Sequence, residues 1–352
     1  MKLLIVGETY TEHEAREQTS FACRAGYELW RMLREAGFPL SPVDDHYPGS
    51  IKMKVLWKNS EIGTTSAFKL QAKISSLCLT KKEAKEQGVE IRDDLPQLQL
   101  HSYLRSEYYP EIERLHTEIE AVRPNLILAL GNTACWALTQ TTKISSLRGT
   151  VLNTDLGKIL PTYHPAAILR NYELRAIMIM DLLKAKKEME YQDIRVKRRQ
   201  IWVEPEIPDL YRWWELHGSR SDLLSVDIET ERYKQISEIG MASDSEHALH
   251  IPFIVNRTKS YWPTVADEVK AWKFVHMVMT SNVPKLGQNF LYDFQYLWKK
   301  IGIPVRNFKH DTMLLHHALY PGMQKSLGFL GSIYCNERSW KDLRKQGNKD
   351  DE

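Results

Sequence analysis

Long apolar runs are missing. No stretch of about 18 or more apolar residues occurs in the 352-residue chain, so nothing in it reads as a membrane span. The opening MKLLIVGE has too short an apolar stretch for a signal peptide and predicts a strand. Cysteine is scarce: Cys23, Cys78, Cys135 and Cys335 stand far apart. None forms a C-x-x-C pair, which removes the usual support for zinc or iron–sulfur ligation. Widely spaced single thiols fit a reducing cytoplasm. Excess charge of one sign is also missing. The net charge is +3, so the chain is no polycation and any nucleic-acid surface must be a local patch. There is no G-x-G-x-x-G and no phosphate-loop pattern. Gly7 and Gly131 are lone strand-end glycines, which argues against a nucleotide-binding metabolic enzyme. Internal repeats and low-complexity tracts are absent as well.

What is present suffices for two cores. Apolar residues make up 43% and charged residues 26%, and 352 residues suggest two domains of ordinary size. The segment KAKKEMEYQDIRVKRRQIWVEPEIPDL divides them. It begins as a charged helix end, passes the basic cluster Lys197, Arg198, Arg199 and reaches Pro205 and Pro208. Charge followed by proline is a linker signal, so the boundary is placed near residue 195, giving 1–195 and 196–352.

The first part alternates strands and helices. LLIV and LILAL predict strands ending at Gly7 and Gly131. SFACRAGYELWRMLREAGF predicts a helix stopping at Gly37, and EYYPEIERLHTEIEAVRP a second. NTACWALTQ starts another, with Asn132 as candidate N-cap. GKILPTYHPAAILRN reads as a strand running into a turn, and NYELRAIMIMDLLKAKKE as a last helix. This alternation implies a mainly parallel sheet with helices on both faces, whose sites lie at the carboxyl ends of its strands. Those ends read Gly7-Glu8, Gly131-Asn132 and Tyr163-His164-Pro165.

The second part is mixed α/β. LLSVDIET and QISEIGMASDSEHALHIPF predict consecutive antiparallel strands. VADEVKAWKFVHMVMTS predicts a helix, KLGQNFLYDFQYLWKKIG a strand entering a helix, and HDTMLLHHALYP another helix. Asp227 and Glu229 sit two apart at the end of an apolar run, so in a strand both carboxylates share a face. Like charges that close repel unless a cation lies between them, and a hard divalent ion takes oxygen ligands. A solvated strand end is the bland alternative. Asp293, in NFLYDFQYLWKK, supplies the third acid. Phosphodiester cleavage uses such carboxylates to hold two divalent ions about 4 Å apart.

SVDIETE, GQNFLYDFQYL, HDTMLLHHAL and SLGFLGSIY, in that order, resemble the 3′–5′ proofreading exonuclease domain of family-A DNA polymerases over roughly residues 200–352. The resemblance implies a ribonuclease-H-like fold, with Asp227, Glu229 and Asp293 as ligands of Mg²⁺ or Mn²⁺. Asn289 would be a companion polar residue at the DNA, and Asp311 a structural one. The family's third motif, a tyrosine and a metal-binding aspartate on a later helix, is not matched; Tyr334 and Asp342 have the wrong spacing. The chain is therefore expected to be the front part of a polymerase, truncated or encoded as a separate subunit.

The stretches GETYTEHEAREQTSFACRAG, VRPNLILALGNTACWAL, ISSLRG and PTYHPAAILRN resemble, in order, the motifs of the uracil-DNA glycosylase superfamily. The family-4 and phage-type members are nearest, over about residues 1–190. The resemblance implies a three-layer α/β/α domain with a parallel sheet. It implies Glu8 as the water-positioning acid, Phe21 as the ring that stacks on uracil, and His164 as the donor to the uracil oxygen. Arg170 would lie on the loop pressed into DNA after flipping. Glycosylases that flip a base need this set of groups at the end of such a sheet. Three departures stand out. Tyr10-Thr11 replace the family's Pro-Gly. The asparagine that reads uracil has no plain match, Asn59 being the candidate. The iron–sulfur cysteines are absent, so no such cluster is expected.

The expected whole is a phage-type replication protein of the host cytoplasm. It would have uracil excision in the first domain and metal-dependent 3′–5′ exonuclease in the second. Its partners would be DNA, single-stranded or at a primer-template 3′ end, and a polymerase domain or subunit, with no membrane. The other reading is a non-catalytic DNA-binding accessory module of a polymerase, in which the basic cluster around Arg198 makes salt-dependent phosphate contacts.

Overall fold

The computed structural model describes residues 1–40, 61–195, 198–231, 235–256 and 259–335. The chain divides into two compact units. One comprises Met1–Ile194 with the described residues 328–335, and the other Arg195–Leu327.

The first unit is built on strands β1 (Leu3–Tyr10), β2 (Ile62–Gln71), β5 (Leu126–Leu130), β6 (Leu152–Thr154) and β7 (Gly157–Thr162), in the order β2-β1-β5-β7-β6. All neighbours run parallel except β6, which returns antiparallel to β7. A short antiparallel pair, β3 (Cys78–Leu79) with β4 (Tyr103–Leu104), lies outside the sheet. The helices are α1 (Glu12–Glu17), α2 (Arg24–Glu35), α3 (Lys81–Gln87), α4 (Tyr109–Val122), α5 (Gly131–Thr139), α6 (Ile144–Leu147), α7 (Pro165–Arg170) and α8 (Leu174–Glu188).

Strand periodicity explains the layers. Leu3 and Ile5 point into one core with Trp30, Met178 and Leu182 of α2 and α8. Leu4 and Val6 point into the other with Phe68, Leu115 and Trp136. A strand buried on both faces must be apolar throughout, as LLIV and LILAL are. The result is the expected three-layer α/β/α arrangement.

Two local readings change. Helix α5 begins at Gly131 with Leu130 as N-cap, so Asn132 lies inside it. The Asn132 side chain accepts the Ile144 N–H at 3.2 Å instead. The stretch after β7 is not a turn but helix α7. Pro165 occupies its first turn, where a missing N–H costs nothing, and His164 is its N-cap.

The second unit holds β8 (Gln200–Trp202), β9 (Leu224–Thr230), β10 (Ile236–Ala242), β11 (His247–Pro252), β14 (Lys285–Gly287) and β15 (Phe308–Asp311), ordered β15-β14-β9-β10-β11-β8. Strands β9, β10 and β11 form an antiparallel meander, while β14 joins β9, β15 joins β14 and β8 joins β11 in parallel. That is the ribonuclease-H-like order, extended by β8. A small pair, β12 (Ile254–Val255) with β13 (Lys259–Ser260), stands apart. Helices α9 (Ile207–Leu216) and α10 (Val265–Thr280) close a core around Trp213, Ile239 and Phe274. Next come α11 (Leu291–Tyr296) with a π-helical turn at its end, and α12 (Thr312–Leu319). Helix α13 (Leu327–Tyr334) begins at the unit boundary.

The run QISEIGMASDSEHALHIPF forms two strands, not one. Asp244 accepts the N–H groups of Glu246 and His247 at 2.7 and 3.0 Å and turns the chain between them.

Candidate active sites

In the first unit, Glu8 lies near the end of β1 and His164 just after β7. They meet at Gly131, the first residue of α5. Gly131 has φ +86°, and a Cβ there would stand 2.6 Å from Glu8 Oε1 and 3.0 Å from the Cβ of His164. Only glycine combines that backbone with that approach. Its lack of a side chain lets the acid and the imidazole come together.

Phe21 is 3% exposed and has φ +60°. A bulky residue in the left-handed region is strained, and such strain persists where surrounding packing over-determines it. The packing here is specific. A Cβ on Gly7 would lie 2.8 Å from Phe21 Cζ, and one on Gly26 would strike the Phe21 carbonyl. Gly7 thus leaves room for the ring and Gly26 for the Phe21 backbone. The ring centroid is 6.4 Å from that of His164, with the planes inclined by 30°.

His164 Nδ1 accepts the Ala166 N–H at 3.2 Å. In the neutral ring the proton must then sit on Nε2, which is left as a donor. Burial lowers the His164 pKa; the charges of Glu8 and Glu14 oppose that shift and that of Arg170 adds to it. Arg170 closes α7 as an exposed residue. Glu8, Phe21, His164 and Arg170 are thus gathered at one end of the sheet. Asn59 lies outside the described residues.

The sequence reading missed Ser66. It lies on β2 directly opposite Gly7 and is 3% exposed. Its hydroxyl is 2.9 Å from that of Ser20, itself 2% exposed, and the Ser66 Oγ and the Phe21 ring both crowd the space at Gly7. Strand β2 carries polar residues at buried positions, so no apolar pattern announced it.

In the second unit, Val226 and Ile228 enter the core while Asp227 and Glu229 occupy the opposite face of β9. Asp293, near the start of α11 and 3% exposed, accepts the Ile228 N–H at 2.8 Å. Its pKa is pushed up to about 7, first by burial and then by the charges of Asp227 and Asp311, against the stabilising Ile228 N–H. Asp227 is raised by burial and then by Glu229. Asp227 and Asp293 are electrostatic neighbours whose ionised forms a cation would favour.

That donor chemistry fits a hard divalent ion. As placed, however, no three Asp, Glu, His or Cys side chains among the described residues converge into a finished cage. One Asp293 oxygen is taken by the Ile228 N–H. Asn289 has φ +56°, with its N–H held by Asp311 at 3.0 Å. Asp311 also accepts from Phe290 and Met313 and caps α12, a structural role.

A family model described as Uracil DNA glycosylase superfamily matches residues 1–188. Among curated relatives, a DNA polymerase of Bacillus phage SP01 is 23% identical over 245 residues, which is 61% of this chain and 26% of the polymerase. A type-4 uracil-DNA glycosylase of Thermotoga maritima is 40% identical over 77 residues, covering 20% of this chain and 40% of that protein. The chain therefore spans less than half the length of either relative. Among solved structures, Escherichia coli RNase D, an exoribonuclease involved in structured RNA processing, matches with a TM-score of 0.30 and 15% identity, over 42% of this chain and 36% of that one. The EXD2 exonuclease domain soaked in Mn and dGMP matches with a TM-score of 0.26 and 16% identity, over 40% of this chain and 72% of that one. With the family model covering more than half of its residues, the chain belongs to the uracil DNA glycosylase superfamily.

Proposed function

We propose that the first unit hydrolyses the N-glycosidic bond of uracil in DNA and that the second is a metal-dependent 3′–5′ exonuclease module of a phage-type DNA polymerase. The observation that carries the reading is the meeting of Glu8, His164 and Phe21 around Gly7 and Gly131.

The chemistry follows from the residues. A flipped base stacks on the Phe21 ring. As the bond from the sugar C1′ to the base nitrogen breaks, its electron pair moves onto the base and charge develops on the base oxygen. A neutral His164 donates from Nε2 to that oxygen. A neutral imidazole suits the task because it donates from Nε2 without the cost of a buried positive charge. Glu8 orients the water that adds at C1′ and takes the proton that water gives up, which the departing base anion recovers. Arg170, exposed at the end of α7, would meet the DNA backbone.

In the second unit Asp227, Glu229 and Asp293 would hold a divalent ion, with Asn289 near the DNA strand. Such an ion supplies Lewis acidity and an activated water for phosphodiester cleavage. The protein's part is to bury Asp293 and to fix the three carboxylates on β9 and α11.

The test is one labelled oligonucleotide with a single internal uracil, incubated with and without Mg²⁺ and then treated with alkali. A single Mg²⁺-independent break at the uracil supports excision. A Mg²⁺-dependent ladder from the 3′ end supports the nuclease. An untouched oligonucleotide that is nonetheless bound, with affinity falling steeply in salt, favours the accessory reading.

A further inference from the structure

We infer that the cleft between the starts of α9 and α10, in the second unit, is a docking site for a partner protein's peptide that carries arginine beside proline.

The cleft encloses about 630 Å³, within the range of clefts that bind ligands. Its walls are Pro205, Ile207, Pro208, Tyr261, Trp262 and Pro263. Helix α9 starts at Ile207 with Pro208 in its first turn, and α10 starts at Val265, just after Pro263. Proline rings fix their own backbone, and the Tyr261 and Trp262 rings meet edge-on at 5.0 Å. The Tyr261 hydroxyl donates to the Pro205 carbonyl at 3.3 Å and ties one wall to the other. The walls are therefore set before a ligand arrives, which lowers the entropy lost on binding. The indole N–H of Trp262, a residue 5% exposed, has no hydrogen-bond partner among the described residues. A carbonyl of a bound peptide would supply one.

Charge selects the occupant. Glu204 and Glu206 are exposed at the rim and have no cationic partner among the described residues. Lys270, also in the lining, is taken by Asp267 at 2.9 Å. Burial raises the Tyr261 pKa, and the charges of Glu204, Glu206 and Asp209 raise it further, so the floor lies in a negative potential. An arginine would lay its planar guanidinium on the Tyr261 ring and turn its donors to the two glutamates. A neighbouring proline is already extended and fits between aromatic walls. A nucleic-acid strand does not fit, because its phosphates would meet carboxylates. The cleft is also separate from the candidate metal site. Helices α9 and α10 pack on the core side of the sheet, whereas Asp227 and Glu229 occupy the opposite face of β9.

The experiment is fluorescence anisotropy of a labelled peptide alternating arginine and proline, titrated with the full chain at low salt. Peptides alternating aspartate with proline, and arginine with glycine, are the comparisons. Wild type is expected to bind the arginine–proline peptide at least about tenfold more tightly than the aspartate one and about threefold more tightly than the glycine one. Glu204→Lys with Glu206→Lys is expected to weaken that binding about tenfold. Glu113→Lys with Glu120→Lys, a matched reversal at exposed positions of α4, is expected to leave it within about twofold. Glu206 is the N-cap of α9 and Glu204 lies before it. If the first double variant melts early, Glu204→Lys alone decides, with an expected loss of about threefold. Equal affinity for the arginine–proline peptide and either comparison overturns the inference. So does an equal loss in the two double variants. A wild-type dimer in sedimentation that Glu204→Lys with Glu206→Lys dissociates would assign the cleft to a second copy and overturn it too.

Discussion

At the scale of single residues, the proposed chemistry depends on a few side chains and on glycines that make room for them. Glu8→Gln and His164→Ala are each expected to lower uracil excision by at least a hundredfold in single-turnover assays, with melting temperatures close to wild type. An excision rate within tenfold of wild type in either variant would remove that residue from the mechanism. Gly131→Ala should act differently. The added methyl meets the Glu8 carboxylate and the backbone is in a left-handed conformation, so about 1–3 kcal/mol of stability should go together with most of the excision. Denaturant unfolding alongside excision rates checks both losses. The motif strings in the sequence named Glu8, Phe21, His164, Asp227, Glu229 and Asp293. They could not name Ser66, because its importance comes from pairing with Gly7, 59 positions earlier, and not from its neighbours in sequence.

At the scale of elements, strand β9 and helix α11 together set a pH dependence. Asp293 keeps its proton to about pH 7 in the folded chain, whereas an unfolded aspartate loses it near 4. Between those values the folded state binds more protons, so stability falls as pH rises through that window. It is fully present below about pH 4, and the loss is at most about 4 kcal/mol. In chelator, melting temperature should therefore decline from pH 5 to pH 8, and Asp293→Asn should flatten the decline. Divalent-ion binding should strengthen over the same range, because the ion competes with that proton. A metal-free melting profile identical in the two proteins would show that Asp293 is not the group responsible. Elements with strong periodicity, such as β1, β5 and α4, were legible from sequence. The split of β10 from β11 was not, since one Asp244-capped turn interrupts an otherwise continuous strand pattern.

At the scale of the whole molecule, the two units carry separate cores and separate candidate sites. Asp227→Ala should abolish Mg²⁺-dependent shortening from the 3′ end and leave uracil excision untouched; loss of both would contradict independent sites. The first unit also contains a charged centre. Arg148, 2% exposed, makes a bidentate pair with Asp181, which accepts from Thr162 at 2.6 Å, while Ser332 accepts from Arg148 at 3.1 Å. Lys184 donates to the Gly149 and Cys335 carbonyls, each at 2.6 Å. Residues around 332 are thereby tied into a unit that otherwise ends at 194. Arg148→Met should cost about 3–5 kcal/mol by leaving Asp181 buried and unpaired, and Arg148→Met with Asp181→Leu should recover much of that loss. Urea unfolding of the three proteins measures the coupling.

Apolar periodicity, strand-end glycines and ordered motif strings are local properties, so composition and pattern already dictated two α/β cores and the residues able to do chemistry at their strand ends. Long-range register is not a local property. The pairing of Gly7 with Ser66, the approach of Glu8 and His164 at Gly131, and the return of residue 332 to Arg148 depend on which strands and helices meet, and no spacing along the chain encodes that. Packing chose those partners, because burying polar groups requires each to find a hydrogen bond wherever the fold brings one within reach.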